Sequence, residues 1–271
     1  MPAFNTISPD KLARLIGTAA CPAIIDVRAD AEELLPASSQ RSADNISEWA
    51  STLRGKQAIV TCVHGLERSA GVAAFLRSEG VAAEILEGGF EAWRNAGLPV
   101  IAAAKLPPRD ARGRTVWVTR ARPKVDRIAC PWLIRRFVDP DAVFLFVAPS
   151  DVAGVAERFE ATPFDVEGVF WSHQGELCTF DVMVEELGLS GFAALPHLAV
   201  IVRGADTAHP EIAPQAAGLL AASLGLSRMH ADDLQQLEDG MILYDAFYRW
   251  CRDAVDETHN WVSHTPRSAR A

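Results

Sequence analysis

The 271-residue sequence predicts an α/β chain in two parts, an N-terminal parallel sheet flanked by helices and a second, helix-rich α/β unit. Three observations carry this. Short Ile- and Val-rich runs alternate with helix-compatible stretches in the first part, a segment with Pro107-Pro108 and mixed charges interrupts the pattern, and after Leu195 the periodicity is largely helical. The expected boundaries are 1–101 for the first domain, 102–114 for a linker, 115–256 for the second domain and 257–271 for a polar, fraying tail.

In the first domain, strands are expected at Ala23 to Val27, Ala58 to Cys62 and Ala83 to Leu86, with helices near Ser8 to Ile16, Ser69 to Glu79 and Gly89 to Asn95. Such βα alternation builds a mostly parallel sheet whose strand ends carry the site. The second domain opens with a strand at Thr115 to Thr119, then a helix in which Pro131 falls early, where a missing N–H is tolerated. A strand at Ala142 to Val147 and a helix at Ser150 to Phe159 follow. Gly168 to His173 and Glu176 to Phe180 read as a hairpin around Gln174-Gly175, and Ala213 to Leu224 and Ala231 to Trp250 are the clearest later helices.

With 49% hydrophobic and 23% charged residues the composition is globular, and the chain has no apolar run long enough to span a bilayer. Its N-terminus has no basic or apolar leader, so a cytoplasmic, membrane-free protein is expected. Five cysteines without C-x-x-C pairs argue against a disulfide framework or a zinc ribbon. Of the net charge of −9, residues 137–271 contribute most: they hold seven Lys or Arg against 21 carboxylates, whereas residues 109–136 hold nine against two. This acidic bulk makes nucleic acid an unlikely partner, while the basic strip suits a small anion. The oligomeric state is not legible.

The stretch Ile59 to Ala70 delivers one cysteine, Cys62, from an apolar strand to a glycine-containing turn that opens a helix. Amides of such a turn and the helix dipole favour a thiolate and any anion it attacks, and Arg68 adds a guanidinium. Val63, His64, Gly65, Leu66, Glu67 and Ser69 complete the expected anion-binding loop. The alternative for a lone cysteine is simple burial; Gly65, Arg68 and Ser69 at a strand-to-helix junction favour function. His64 either tunes the thiolate or fills the turn, and Glu67 fixes Arg68 or faces solvent.

The C-x-x-G-x-x-R-S spacing resembles the phosphate loop of cysteine-dependent phosphatases, whereas Ile24-Ile25-Asp26-Val27-Arg28 and Leu86-Glu87-Gly88-Gly89-Phe90-Glu91-Ala92-Trp93 resemble a rhodanese domain. That resemblance implies sulfane-sulfur transfer through a Cys62 persulfide, with no cofactor, a donor such as thiosulfate and a thiol acceptor. Two departures accompany it. The family's Gly-His-Ile-Pro-Gly-Ala segment is reduced to Leu35-Pro36-Ala37, and the Cys62 to Arg68 loop is one residue longer than in sulfurtransferases of this fold. The longer loop resembles rhodanese-fold phosphatases and arsenate reductases, and suits phosphate, arsenate or chromate; against that stand Thr61, where those enzymes have histidine, and the lack of an assignable general acid.

The blocks Asp126 to Phe137, Cys178-Thr179-Phe180-Asp181 and Arg203-Gly204-Ala205-Asp206-Thr207 resemble the C-terminal domain of the chromate-resistance protein ChrB, from about Val116 to Cys251. The resemblance implies a role in chromate resistance or chromate-responsive regulation, with the usual N-terminal part replaced by the rhodanese-like domain. From the residues alone, Arg120, Arg122, Lys124, Arg127, Arg135 and Arg136 either bind a dianion or pair with the acidic remainder of the domain. Asp126 either binds a ligand or caps a helix. Arg203, Asp206 and Asp245 are an ionic network or part of a pocket. His173, Cys178 and Asp181 are metal-compatible, but a core Cys178 and a hydrogen-bonded His173 explain the same letters. Trp117, Trp132 and Trp171 read as core.

These expectations combine into an oxyanion stress-response protein with a Cys62 persulfide site. The rivals are phosphatase or arsenate-reductase chemistry in the longer loop, and a non-enzymatic chromate-responsive regulator.

Overall fold

The structure is a computed structural model that describes residues 5–257. The expected tail from Glu257 onward lies, apart from Glu257 itself, outside the described residues. In chain order the first part comprises β1 (Thr6–Ile7), α1 (Pro9–Leu15), β2 (Ala23–Asp26), β3 (Glu33–Leu34), β4 (Ser38–Gln40), α2 (Ile46–Trp49), β5 (Gln57–Thr61), α3 (Glu67–Ser78), β6 (Ala82–Leu86), α4 (Gly89–Asn95) and β7 (Ile101–Ala102). Five of these strands form a parallel sheet in the order β1-β6-β5-β2-β4. The central β5 is apolar on both faces and buried after Gln57, the signature of a parallel strand covered on both sides. It ends at Thr61, which places Cys62 just beyond the carboxyl end of the sheet.

The second part comprises β8 (Val116–Arg120), α5 (Asp126–Leu133), β9 (Val143–Val147), α6 (Val152–Phe159), β10 (Thr162–Pro163), α7 (Thr179–Glu186), α8 (Ala194–Asp206), α9 (Ala216–Met229) and α10 (Asp233–Asp253). Its parallel sheet has the order β10-β8-β9. No helix among the described residues is long and apolar enough to cross a membrane.

Two sequence expectations are corrected. The hairpin at 168–180 does not form; a single bridge joins Gln174 to Leu177, and the chain then enters α7. The run Cys178 to Val184 is buried, and a mostly apolar segment of that length fits a buried helix as well as a strand. The helix wins because Asp181 accepts the Cys178 N–H at 3.1 Å and Asp126 accepts the Thr179 N–H at 2.7 Å. Second, Pro131 is the sixth residue of α5, not an early one, and the chain continues into a wider π turn at Ile134–Val138.

The two parts share one buried cluster: Leu12, Ile16, Leu35 and Trp93 from the first, Trp117, Trp132, Phe137 and Phe180 from the second. The shortened Leu35-Pro36-Ala37 segment takes part in this contact, since the Ala37 N–H donates to the Phe137 carbonyl at 2.6 Å. Residues 102–114 are likewise held, by Ala103 N–H on the Glu32 carbonyl at 2.7 Å and by an Arg109–Asp139 ion pair at 3.3 Å.

Candidate functional site

Cys62 follows β5 and lies at the floor of a cavity of about 440 Å³ lined by Arg28, Ala29, Val63, His64, Leu66, Glu67 and Arg68. The helix α3 starts at Glu67, two residues earlier than the sequence suggests, so Arg68 and Ser69 belong to its first turn. The Cys62 Sγ is 3.2 Å from Ser69 Oγ. Burial opposes ionisation of this thiol, but the Ser69 hydroxyl and the amides of Ser69, Leu66 and His64 outweigh it and hold the pKa below the ordinary thiol value. His64 thus contributes through its amide. Gly65 and the Gly88-Gly89 turn close the back of the loop, with Phe90 and Glu91 N–H groups on the carbonyls of Cys62 and Val63 at 2.9 and 3.0 Å.

Burial drives the other thiols the opposite way, Cys21 to about 12, Cys251 to about 11, and Cys130 and Cys178 well upward. Of the five cysteines only Cys62 is poised as a thiolate.

Arg68 does not reach over the loop: its guanidinium donates to the Val27 carbonyl at 3.3 Å. Arg28 is held bidentately by the wholly buried Asp26, at 3.0 and 2.6 Å, and lies 3.6 Å from the centre of the Phe90 ring. Arg28, Arg41 and Arg68 line an adjoining cavity of about 290 Å³ that also contains Asp30 and Asp44. Arg28 and Arg68 therefore border both the Cys62 cavity and the adjoining one.

In the second domain the arginine strip is dispersed into separate pairs. Arg120 and Arg127 engage Asp165 at 3.3 and 3.2 Å, Arg135 engages Glu238 at 2.6 Å, and Arg136 grips Asp245 at 2.8 and 2.7 Å. Arg122 donates to backbone carbonyls before α10, His230 among them at 2.8 Å, and it lines a cavity of about 560 Å³ together with Lys124 and Arg228. Arg120, Arg127, Arg135 and Arg136 thus pair with acidic residues of the domain, while Arg122 and Lys124 share one cavity. The predicted network of Arg203, Asp206 and Asp245 is also divided: Arg203 pairs with Asp181 at 3.0 Å, Asp206 faces His173, and Asp245 holds Arg136.

Of the two readings of His173, Cys178 and Asp181, the arrangement is that of a core cysteine and a partnered histidine. Cys178 is buried at the start of α7 and Asp181 is taken by Arg203, so neither joins His173. Instead His173 Nε2 faces Asp206, Asp165 and Asp126 at 3.1, 3.5 and 3.6 Å. Asp126 is the first residue of α5, yet it caps α7 through Thr179 and not its own helix. The interaction with Asp126, and the charges of Asp126, Asp206 and Asp165, raise His173 to about 9 against the effect of burial. Burial and the charges of Asp126 and Asp165 raise Asp206 to about 7. Asp165 escaped the sequence reading because a lone aspartate in a loop gives no signal of what it will meet.

Residues 117–251 match the family described as ChrB, C-terminal domain, and residues 8–96 match the rhodanese-like domain. The chain is 35% identical over 156 residues to Protein ChrB of Cupriavidus metallidurans, a match spanning 56% of this chain and 46% of that protein. Solved structures similar to the first domain include a rhodanese-like domain protein from Staphylococcus aureus, 28% identical over 33% of this chain and 91% of that one, with a TM-score of 0.31. A rhodanese-related protein from Thermoplasma volcanium is 27% identical over 36% and 98%, with a TM-score of 0.33. The first part of the chain is thus similar to rhodanese-like domains and the second to the ChrB C-terminal domain.

Proposed function

We propose that the rhodanese-like domain is a sulfurtransferase that works through a Cys62 persulfide. The observation that carries this is the opposite behaviour of Cys62 and the other four thiols: it alone is stabilised as a thiolate, by hydrogen bonds from Ser69, Leu66 and His64. The thiolate attacks the sulfane sulfur of a donor such as thiosulfate, the new S–S bond forms as the donor's S–S bond breaks, and sulfite leaves with the electron pair. An acceptor thiolate then takes the outer sulfur and releases Cys62. The loop amides hold the negative charge of the persulfide. Arg28, Arg41 and Arg68, beside the loop, suit the sulfonate of the donor.

The position of Arg68 favours this over phosphatase or arsenate-reductase chemistry. A tetrahedral dianion inside the longer loop calls for a guanidinium over its equatorial oxygens, whereas Arg68 is turned to the Val27 carbonyl. The likeness of residues 117–251 to the ChrB C-terminal domain supports placing this sulfur transfer in a response to chromate or a related oxyanion.

The test is the intact mass of full-length protein after thiosulfate treatment, beside Cys62→Ser. Gain of one sulfur atom that needs Cys62 and is discharged by a thiol acceptor is expected. Hydrolysis of a phosphate ester that needs Cys62, with no sulfur gained, would reverse the assignment in favour of the phosphatase chemistry.

A further inference from the structure

The four aspartates near His173 are not equally compensated. Asp165 has Arg120 and Arg127, and Asp181 has Arg203. Among the described residues, Asp126 and Asp206 have no Lys or Arg within salt-bridge distance, and both turn to the same imidazole nitrogen. One N–H cannot serve three carboxylates at 3.1, 3.5 and 3.6 Å. The arrangement concentrates acceptors around a point where a single proton is too little positive charge.

A second, independent observation lies in Asp126 itself. The residue is wholly buried, and while its Oδ2 takes the Thr179 amide, its Oδ1 has no hydrogen-bond partner. A buried carboxylate oxygen without a donor is costly, and here it sits beside two further ligand-type side chains, where a cation would satisfy it. One candidate donor atom from each of Asp126, His173 and Asp206 lies within 4.8 Å of the others. Small side-chain rotations bring such atoms to the roughly 2.0–2.2 Å that nitrogen and carboxylate ligands take around a first-row ion.

The site is also reachable. His173 is half exposed and borders a cavity of about 420 Å³ whose wall includes Arg203, Thr207 and His209. The donor atoms that converge here come from Asp126, His173 and Asp206 and include no cysteine sulfur, so the donor set is nitrogen and oxygen. One imidazole with carboxylates suits Mn²⁺, Fe²⁺ or Zn²⁺, and excludes soft ions that need sulfur.

We propose that His173, Asp126 and Asp206 ligate a divalent first-row metal ion, with Asp165 as the adjoining carboxylate and with coordination positions open to the cavity. The ligands come from the start of α5, the loop before α7 and the end of α8, so the ion ties together three elements of the ChrB-like domain. The open positions take water or a small anion, with Arg203 on the wall to receive the anion's charge.

The experiment uses full-length protein stripped by a chelator and titrated with Mn²⁺, followed by the electron paramagnetic signal of free Mn²⁺, and separately with Zn²⁺ by calorimetry. One equivalent per chain is expected for wild type and for Cys62→Ser, with affinity at least about tenfold weaker in His173→Gln and Asp206→Asn. Melting of the stripped proteins supplies the control for folding. Asp206→Asn removes one of the crowded charges, so the metal-free variant melts higher than metal-free wild type, yet added metal no longer raises its melting temperature. Absence of saturable binding in wild type overturns the site, as does wild-type affinity in both variants. Binding lost in Cys62→Ser would move the ion to the other domain and equally overturn it.

Discussion

Gly65 and Gly89 are packed backbone to backbone: a Cβ on Gly89 would come within 2.4 Å of the Gly65 nitrogen and 2.5 Å of the Cys62 carbonyl. The turn that opens α4 is therefore the mould in which the thiolate loop sets. Both glycines also hold positive φ, +69° and +62°, so a side chain at either meets strain as well as collision. Gly89→Ala is expected to cost about 2–4 kcal/mol of stability and to lower the alkylation rate of Cys62, because the loop must shift away from the sulfur. Denaturant unfolding and iodoacetamide kinetics on the same sample check both effects.

Ser69 supplies two of the hydrogen bonds that hold the Cys62 thiol below its ordinary pKa, one from its hydroxyl and one from its amide. Ser69→Ala deletes only the first. The midpoint of the pH–rate profile for Cys62 alkylation should move to higher pH, and the rate at neutral pH should fall by roughly tenfold, the size of one hydrogen bond to a charged group. An unmoved midpoint would show that the amides alone set the thiolate.

The same depressed pKa links stability to pH with a fixed sign. A thiol whose pKa is lower folded than unfolded contributes stability that is complete above the unfolded value, and is lost as pH falls through the folded one. Relative to Cys62→Ser, which cannot ionise in this range, wild type should gain stability as pH rises from the folded pKa towards 9. Paired urea titrations across that window test it; a difference independent of pH would contradict the thiolate.

Asp245 on α10 accepts the Trp132 indole N–H at 2.8 Å and the Nε and Nη2 N–H groups of Arg136 at 2.8 and 2.7 Å. Trp132 is fully buried among Phe137, Phe180, Tyr244 and Tyr248. Asp245→Ala leaves a buried indole donor and a guanidinium without partners, at an expected cost of about 2–4 kcal/mol. Asp245→Asn, which retains an acceptor for Trp132, should recover part of that loss in the urea midpoint.

The thiolate loop was legible because its information is local: an apolar strand, Cys62, Gly65 and the first turn of a helix are contiguous, and their geometry follows from neighbouring residues. The His173 cluster was not. Its members lie at 126, 165, 173 and 206, and nothing in the spacing tells which aspartate will meet the imidazole and which an arginine. The helix that begins after Cys178 was hidden for a related reason, since a buried, mostly apolar run has no clear period to separate strand from helix and the capping contact from Asp126 is 53 residues away along the chain. Likewise the arginines from Arg120 to Arg136 looked like a strip in sequence, but their partners Asp165, Glu238 and Asp245 are distributed over separate elements.

Phe137 joins the two domains, and its removal tests whether they unfold as one. The ring is fully buried, touches Trp132, Phe192 and Tyr248, and approaches Gly17 of the first domain so closely that a Cβ there would lie 2.2 Å from it. Its carbonyl also takes the Ala37 N–H. Truncating a buried phenylalanine costs about 3–5 kcal/mol, and here the cavity opens at the junction of the two sheets' coverings. Wild type should therefore melt in a single calorimetric transition, because neither domain can keep this cluster buried alone. Phe137→Ala should lower that transition and split it, with the enhanced alkylation rate of Cys62 lost before the helical signal from α7 to α10. A wild type that already melts in two steps would mean that the shared core couples the domains less than its burial implies.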